Sequence, residues 1–318
     1  MNEAEAALHQ KLDDVRSAVT KVIRGQGSVV EQLLTAILAE GHVLLEGAPG
    51  VAKTLSSRLI AKLIDSKFSR IQFTSDLMPA DVLGSSIFNV QKSEFEFHPG
   101  PIFADIVLVD EINRAPAKTQ SALFEVMEER QVTVDSTCYP MSDIYTIVAT
   151  QNPIDQEGTY RLPEAQTDRF LFKIRVGYPD AEAEMDVLKA HNENTRMTKL
   201  EGVTPILSRD EVMELRRMAS KVFVDEKVMK YIVGISQMTR KHPDIYIGAS
   251  PRASIAFLRA SKAYALLQGR TFVIPDDVKA MADAVLCHRI SLSAEAEMEG
   301  KTVTTVVADV LGKVEVEA

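Results

Sequence analysis

His42-Val43-Leu44-Leu45-Glu46 is a short apolar run that passes directly into Gly47-Ala48-Pro49-Gly50-Val51-Ala52-Lys53-Thr54, and a helical pattern then extends from Lys53 to Ile64. A buried strand that turns through glycines into a helix N-terminus limits the possible folds more than any other stretch of the chain. The backbone N–H groups of such a turn can wrap one group of oxygens, and the helix N-terminus adds partial positive charge. The combination suits a phosphate. In that reading Lys53 reaches the β- and γ-phosphates and the Thr54 hydroxyl holds Mg²⁺. The strict spacing has Gly before the lysine; Ala52 adds a methyl group but keeps the N–H donor. Taken alone, a Gly/Pro turn followed by a helix with a surface lysine would explain the stretch equally well.

Two further strand ends favour the phosphate reading. Ile106-Val107-Leu108-Val109 is an apolar run that ends in Asp110-Glu111. The first acid suits Mg²⁺, directly or through water, and the second can polarise a water for in-line attack as a general base. A pair of acids at a strand end is, by itself, a solvated turn; the upstream glycine loop reverses that preference. Tyr145 to Thr150 is a third run and ends in Gln151-Asn152-Pro153. An amide there can orient a water beside the γ-phosphate, although Asn-Pro is also a good turn starter.

Strand-like runs at Arg70–Phe73, Ile106–Val109, Tyr145–Ala149 and Leu171–Val176 alternate with helical patterns, notably Lys118–Arg130. That rhythm predicts an α/β fold with a mostly parallel sheet. Ile87 to Phe97 and Gln131 to Tyr145 interrupt it and read as two small hairpins. Residues 7–38 read as amphipathic helix broken near Arg24-Gly25-Gln26-Gly27. After Val176 the pattern turns helical: Tyr178-Pro179-Asp180 opens a helix, and others follow at Arg209–Lys221, Glu226–Lys241, Arg252–Gln268 and Asp276–Ile290, with a β-like piece at Thr271–Ile274. The change of class falls near 178–208, predicting residues 1–190 as one domain and 191–318 as a second, helical one. Thr302 to Val316 alternates enough for a strand or a loose tail. Met213, Met218, Met229 and Met238 read as core filler, and the basic excess of Arg252, Arg259, Lys262 and Arg270 as a solvated helix face.

Composition excludes several classes. The 318 residues carry 36 Lys and Arg against 45 Asp and Glu, a formal charge of −9, and residues 1–180 hold −8 of it. A nucleic-acid binder should show a basic stripe. Here the first hairpin sets Lys92 against Glu94 and Glu96, and the second carries only Asp135 and Asp143. Cys138 and Cys287 are far apart and form no CxxC, so neither disulfides nor a zinc site is expected. No run approaches the ~18 apolar residues of a membrane span. Glu3 and Glu5 replace the basic start of a signal peptide, and a cytoplasmic setting is expected.

The motifs together resemble an AAA+ ATPase: the glycine loop at 47–54, the acidic strand at 106–111, Asn152, and Ser250-Pro251-Arg252-Ala253 in the helical part. Asp110-Glu111-Ile112-Asn113-Arg114-Ala115, Ala149-Thr150-Gln151-Asn152-Pro153, Glu157-Gly158-Thr159-Tyr160, Leu162-Pro163-Glu164-Ala165-Gln166 and Asp168-Arg169-Phe170 are similar to the MoxR family within it. The resemblance runs from about Val22 to about Leu292. It implies a P-loop AAA+ core with a parallel sheet, in which the two hairpins are the helix-2 insert and the pre-sensor-1 hairpin, and an all-α C-terminal lid. It implies ATP held by Gly47 through Leu55, with Ile23 and Gln26 flanking adenine, and Mg²⁺ at Thr54 and Asp110. It makes Glu111 the base, Asn152 sensor 1, Arg252 sensor 2 and Arg169 the arginine finger that a neighbouring subunit's ATP meets. The family usually has Pro where this chain has Arg161, so Arg161 stands second to Arg169 for the finger. The resemblance further implies ATP hydrolysis by a homo-oligomeric ring, a hexamer, that remodels proteins. Its partner would bear a von Willebrand factor A domain, and its task would be maturation of a protein complex or metal insertion. A magnesium-chelatase-like ATPase subunit is the alternative, and a nucleic-acid motor stands below both.

Overall fold

Two amphipathic helices, α1 (Glu3–Val22) and α2 (Gly27–Leu38), precede the first strand in the computed structural model, which describes residues 3–23, 26–48, 50–51, 53–152, 160, 162–192, 200 and 202–316. The elements continue as β1 (Val43–Gly47), α3 (Lys53–Leu63), β2 (Phe68–Gln72), α4 (Pro79–Leu83), β3 (Gly84–Asn89), β4 (Glu94–Pro99) and β5 (Ile106–Asp110). A 3₁₀ turn at Ile112–Arg114 leads to α5 (Ala117–Glu129), β6 (Gln131–Val134), β7 (Thr137–Pro140), β8 (Thr146–Gln151), α6 (Glu164–Thr167), β9 (Phe172–Val176) and α7 (Ala181–Asn192). The rest comprises α8 (Arg209–Lys221), α9 (Glu226–Lys241), β10 (Ile245–Ile247), α10 (Pro251–Leu267), α11 (Pro275–Leu286), β11 (Ser291–Leu292), α12 (Ala294–Met298) and α13 (Val303–Lys313).

The chain forms two compact units. The first comprises Met1–Glu31, His42–Leu162 and Ile174–Met213; the second comprises Gln32–Gly41, Pro163–Lys173 and Glu214–Ala318. The five-stranded sheet has the order β2-β5-β8-β1-β9, and β2–β5, β5–β8 and β8–β1 pair in parallel. All five residues of β5 are buried, as are the first five of β8. Continuous apolar runs belong to strands covered on both faces, whereas a half-exposed strand would alternate. At the end of β1 the packing leaves no space: a Cβ on Gly47 would lie 2.4 Å from the Val176 carbonyl oxygen.

Both expected hairpins form. β3 and β4 pair from Gly84↔Pro99 to Asn89↔Glu94, and Asn89 Oδ1 closes the turn by accepting from the Gln91 and Lys92 amides. β6 and β7 are joined by Asp135-Ser136, both at positive φ (49° and 66°), the conformation that matches strand twist in a two-residue hairpin. The hairpins touch: Phe97 and Tyr139 rings lie 4.3 Å apart, and Ser86 Oγ donates to Asp135.

Beyond residue 208 the structure corrects four expectations. Thr302 to Val316 is neither strand nor tail but contains α13. Thr302 Oγ1 accepts from the Thr305 amide as an N-cap, and Val306, Val307 and Val310 are buried where α13 meets α9 and α11. The spacing of these valines suited a helix face as well as an alternation, and packing decided. Met229 is exposed rather than core, while Met213, Met218 and Met238 are half-buried. The basic residues of α10 and of the turn after it are also more than a solvated face. Arg259 donates to the Ala39 carbonyl, Lys262 to the Ser220 carbonyl at 2.8 Å, and Arg270 forks onto Asp277. The expected helix at Asp276–Ile290 ends at Leu286, and β10–β11 form a small antiparallel pair.

His288, just beyond α11, is enclosed and its Nε2–H donates to the Phe170 carbonyl at 3.0 Å. Burial, then the neighbouring Arg289 and Lys173 charges, push its pKa well below the ordinary histidine value. The folded state therefore keeps His288 neutral while the unfolded chain takes up a proton near pH 6.5. Stability should fall as pH drops below ~6.5, with a contribution of about 1.4 kcal/mol per pH unit until the folded pKa is reached. Denaturant midpoints of the wild type from pH 7.5 to 5 should fall more steeply than those of His288→Gln; parallel profiles would contradict this account. At the sheet, Gly47→Ala must displace the Val176 backbone and should cost about 1–3 kcal/mol, measured as a lower urea midpoint.

Candidate functional site

Three strand ends of the first unit meet at the glycine turn. β1 delivers Gly47, β5 delivers Asp110 and Glu111, and β8 delivers Thr150 and Gln151, because Leu45 pairs with Thr150, Glu46 with Gln151 and Val109 with Ala149. The carboxyl ends of parallel strands beside a change in strand order are where such sheets leave a crevice. Gly50 has φ +87°, and an added Cβ there would meet nothing within 4 Å; the turn is left-handed and open on that side. Val51 is buried and receives a bond from Gln26 Nε2 to its carbonyl at 3.0 Å, so Gln26 ties the end of the α1–α2 connection to the turn. Ile23 is buried nearby in sequence. Gln26 Oε1 is buried without a hydrogen-bond partner.

Lys53 and Thr54 open α3, followed by Leu55, all half-buried. Lys53 Nζ donates to the Gly47 carbonyl at 2.5 Å and to the Gln151 carbonyl at 3.5 Å. Burial lowers its pKa, opposed by the charges of Asp110, Glu111 and Glu46. Partial desolvation strengthens the attraction of this ammonium for an incoming anion, and the neighbouring acids keep it charged. Ala48 is half-buried. Pro49, Ala52 and Arg161, and the Glu157–Thr159 part of a motif quoted above, lie outside the described residues.

The two acids are held differently. The Asp110 carboxylate is nearly enclosed, accepting from Thr150 Oγ1 at 3.2 Å and from Arg70 Nε at 2.6 Å. Glu111 sits at φ 56°, ψ 51°, a left-handed conformation that costs an ordinary residue roughly 1–2 kcal/mol. Its amide donates to Thr150 Oγ1 at 2.9 Å, so one hydroxyl pins both acids. The Glu111 side chain remains 38% exposed, accepting from Gln72 Nε2 at 2.9 Å and lying 3.2 Å from Arg114 Nε. The first acid is enclosed, and the second is partly open to solvent. Asn152 follows Gln151 directly, half-buried at the mouth of β8.

Sequence reasoning missed Arg70, Gln72 and the anchoring role of Thr150. The signal was present: Arg70 and Gln72 are alternate residues of an otherwise apolar run, on a strand whose Gln72 pairs with Asp110. Only the strand order, which puts β2 beside β5, shows what they face.

Arg169 and Arg252 belong to the second unit. Arg169 lies in the turn after α6, half-buried. Arg252 is in the first turn of α10, whose N-cap Ser250 accepts from the Arg252 amide. Arg252 Nη1 is 3.8 Å from Asp168 Oδ2. The residue before the expected finger and the expected sensor thus share a carboxylate.

Residues 42–172 match the model of an ATPase family associated with various cellular activities (AAA), and residues 237–310 match an AAA lid domain. The chain is 44% identical over 308 residues to chaperone MoxR1 of Mycobacterium tuberculosis, covering 92% of this chain and 79% of that one. It is 47% identical over 309 residues to the uncharacterized protein YeaC of Bacillus subtilis, covering 97% and 96%. A crystal structure of a protein assigned as an ATPase from Cytophaga hutchinsonii superposes with a TM-score of 0.91 at 42% identity, covering 99% of this chain and 98% of that one. With a sheet, glycine turn and paired acids of this arrangement, the chain belongs to the MoxR family of AAA+ ATPases.

Proposed function

We propose that the protein hydrolyses ATP with Mg²⁺ and works as a ring-forming remodelling chaperone. The observation that carries this reading is the strand-end cluster, in which Thr150 fixes an enclosed Asp110 and the backbone of a partly exposed Glu111 beside the charged Lys53. The residues present suit a nucleotide. Gly50 leaves open space on its left-handed side, Lys53 offers a partly desolvated charge, and the unpartnered Gln26 Oε1 matches a donor such as the adenine amino group.

In this reading the turn from Gly47 to Leu55 cradles the phosphates, and Ile23 and Gln26 flank the base. Thr54 and Asp110 would hold Mg²⁺, which would supply positive charge to the phosphates. Arg70 and Thr150 leave lone pairs on the Asp110 carboxylate for the ion or its water. Glu111 takes the proton of the attacking water, and Asn152 orients that water. Arg252 senses the γ-phosphate. Arg169 of a neighbouring subunit offsets the charge developing on the transferred phosphoryl group, an effect of about 10³–10⁵ in rate. Residues 1–190 serve as core and 191–318 as lid; the compact second unit begins at Glu214 and also takes in 32–41 and 163–173.

A protein partner, of the von Willebrand factor A type that the family resemblance implies, suits the hairpins better than nucleic acid does. Ile87, Phe88, Val90 and Phe95 are exposed there, with Phe88 and Phe95 rings 5.2 Å apart, and Glu94 and Glu96 oppose a phosphate backbone. No described helix is long and apolar enough to cross a membrane, and the proposed setting is the cytoplasm.

Glu111→Gln should lower steady-state ATP hydrolysis by about 10²–10⁴ and leave ATP binding intact. Light scattering of that variant should show growth from monomer to a hexameric ring when ATP is added. Wild-type turnover by Glu111→Gln would remove the base assignment. A strict monomer with ATP bound would remove the trans role of Arg169.

A further inference from the structure

Arg289 lies three residues beyond α11, and its side chain is 4% exposed. A guanidinium carries five N–H donors in a rigid fork, and here they make five bonds. Nε donates to Asp168 Oδ1 at 2.7 Å; Nη2 donates to the Asp168 carbonyl at 3.1 Å and the Phe170 carbonyl at 2.7 Å. Nη1 donates to the Leu171 carbonyl at 3.0 Å and to the Val285 carbonyl at 2.7 Å. Four of the five close on residues 168–171, the turn that carries Arg169.

The neighbours of Arg289 act on the same turn and on the residues flanking it. His288 Nε2–H donates to the Phe170 carbonyl at 3.0 Å, Cys287 Sγ donates to the Lys173 carbonyl at 3.3 Å, and Ser291 Oγ donates to Glu164 at 2.8 Å. Segment Pro163–Lys173 accordingly belongs to the second compact unit, although the core family model extends to residue 172. The free edge of the Asp168 carboxylate faces Arg252, 3.8 Å away.

We infer that Arg289 is the positioning residue of the arginine finger: it locks the Asp168–Leu171 turn to the lid, so that Arg169 moves with the lid. The inference rests on Arg169 acting in trans, as proposed above. A flexible arginine gains rate only when its fork is held at the developing charge, and a displacement of about 1 Å can cost 10²-fold. A turn of four residues cannot hold such a geometry alone. Its carbonyls at 168, 170 and 171 point inward and need donors, and a single buried guanidinium satisfies all three. Because Arg252 shares Asp168 with Arg289, the same carboxylate ties the residue proposed to sense a subunit's own nucleotide to the turn that serves its neighbour.

The test uses full-length rings and mixes each variant with an excess of Glu111→Gln subunits. A Glu111→Gln subunit has no base but an intact finger. A subunit with a defective finger keeps its own base and site, so mixing restores hydrolysis where the two meet. Arg289→Met alone should lose about 10²-fold in ATP hydrolysis, with ATP affinity unchanged within about twofold, and should recover on mixing as Arg169→Ala does. Arg289→Lys keeps the charge but not the fork. It serves if the Met variant does not assemble, and should show a smaller loss that recovers in the same way. Wild-type turnover by both Arg289 variants would overturn the inference. So would a loss that does not recover on mixing while that of Arg169→Ala does, since Arg289 would then act on its own subunit's site or only on folding. Failure of Arg169→Ala itself to recover would instead overturn the finger assignment, and the positioning role with it.

Discussion

The parallel register of β1, β8 and β5 is the constraint from which the site follows. Paired as Leu45 with Thr150 and Val109 with Ala149, the three strands end at one level. Each then releases its next residues into the same crevice. Side chains alternate along a strand, so a slip by one residue would turn Thr150 away from Asp110 and Asp110 away from the glycine turn. The continuous burial of β5 and β8 makes such a slip costly, because closely packed side chains of different shape would have to exchange places on both faces. Core packing and site geometry are therefore set by one register.

Within that frame the site stores a small amount of strain. Glu111 adopts a left-handed conformation that glycine would adopt freely, and the Thr150 hydroxyl holds it there while also bonding Asp110. Such outliers persist where surrounding contacts over-determine them. The result separates two neighbouring carboxylates into different environments. One is enclosed and paired with Arg70, and the other is partly open and restrained by Gln72 and Arg114.

Much of this was legible in the chain. The five sheet strands, both hairpins and the helices from α7 to α11 followed from apolar runs, alternation and turn residues, because buried parallel strands and amphipathic helices have distinct periods. Asp110, Glu111 and Asn152 stood out because they lie at the ends of apolar runs, and Lys53 because a glycine turn separates it from one. The misreadings share a physical cause. Met229, the valines of α13 and the basic residues of α10 each sit in patterns that local periodicity leaves ambiguous. Contacts with segments far away in sequence resolved them: α13 against α9 and α11, Arg259 at Ala39, Lys262 at Ser220.

Sequence alone determined the chemistry available: a glycine turn before a helix, acids after one strand, an amide after another, and arginines in Asp168-Arg169-Phe170 and Ser250-Pro251-Arg252. Those depend on residue type and on spacing within one element, which a linear chain displays. Tertiary structure decided which groups restrain them. Arg70 and Gln72 reach the acids only because β2 lies beside β5. Arg289 grips a turn some 120 residues earlier because that turn packs with the helical unit. A hydrogen bond acts over about 3 Å, and nothing in a linear sequence states which distant residues folding will bring that close.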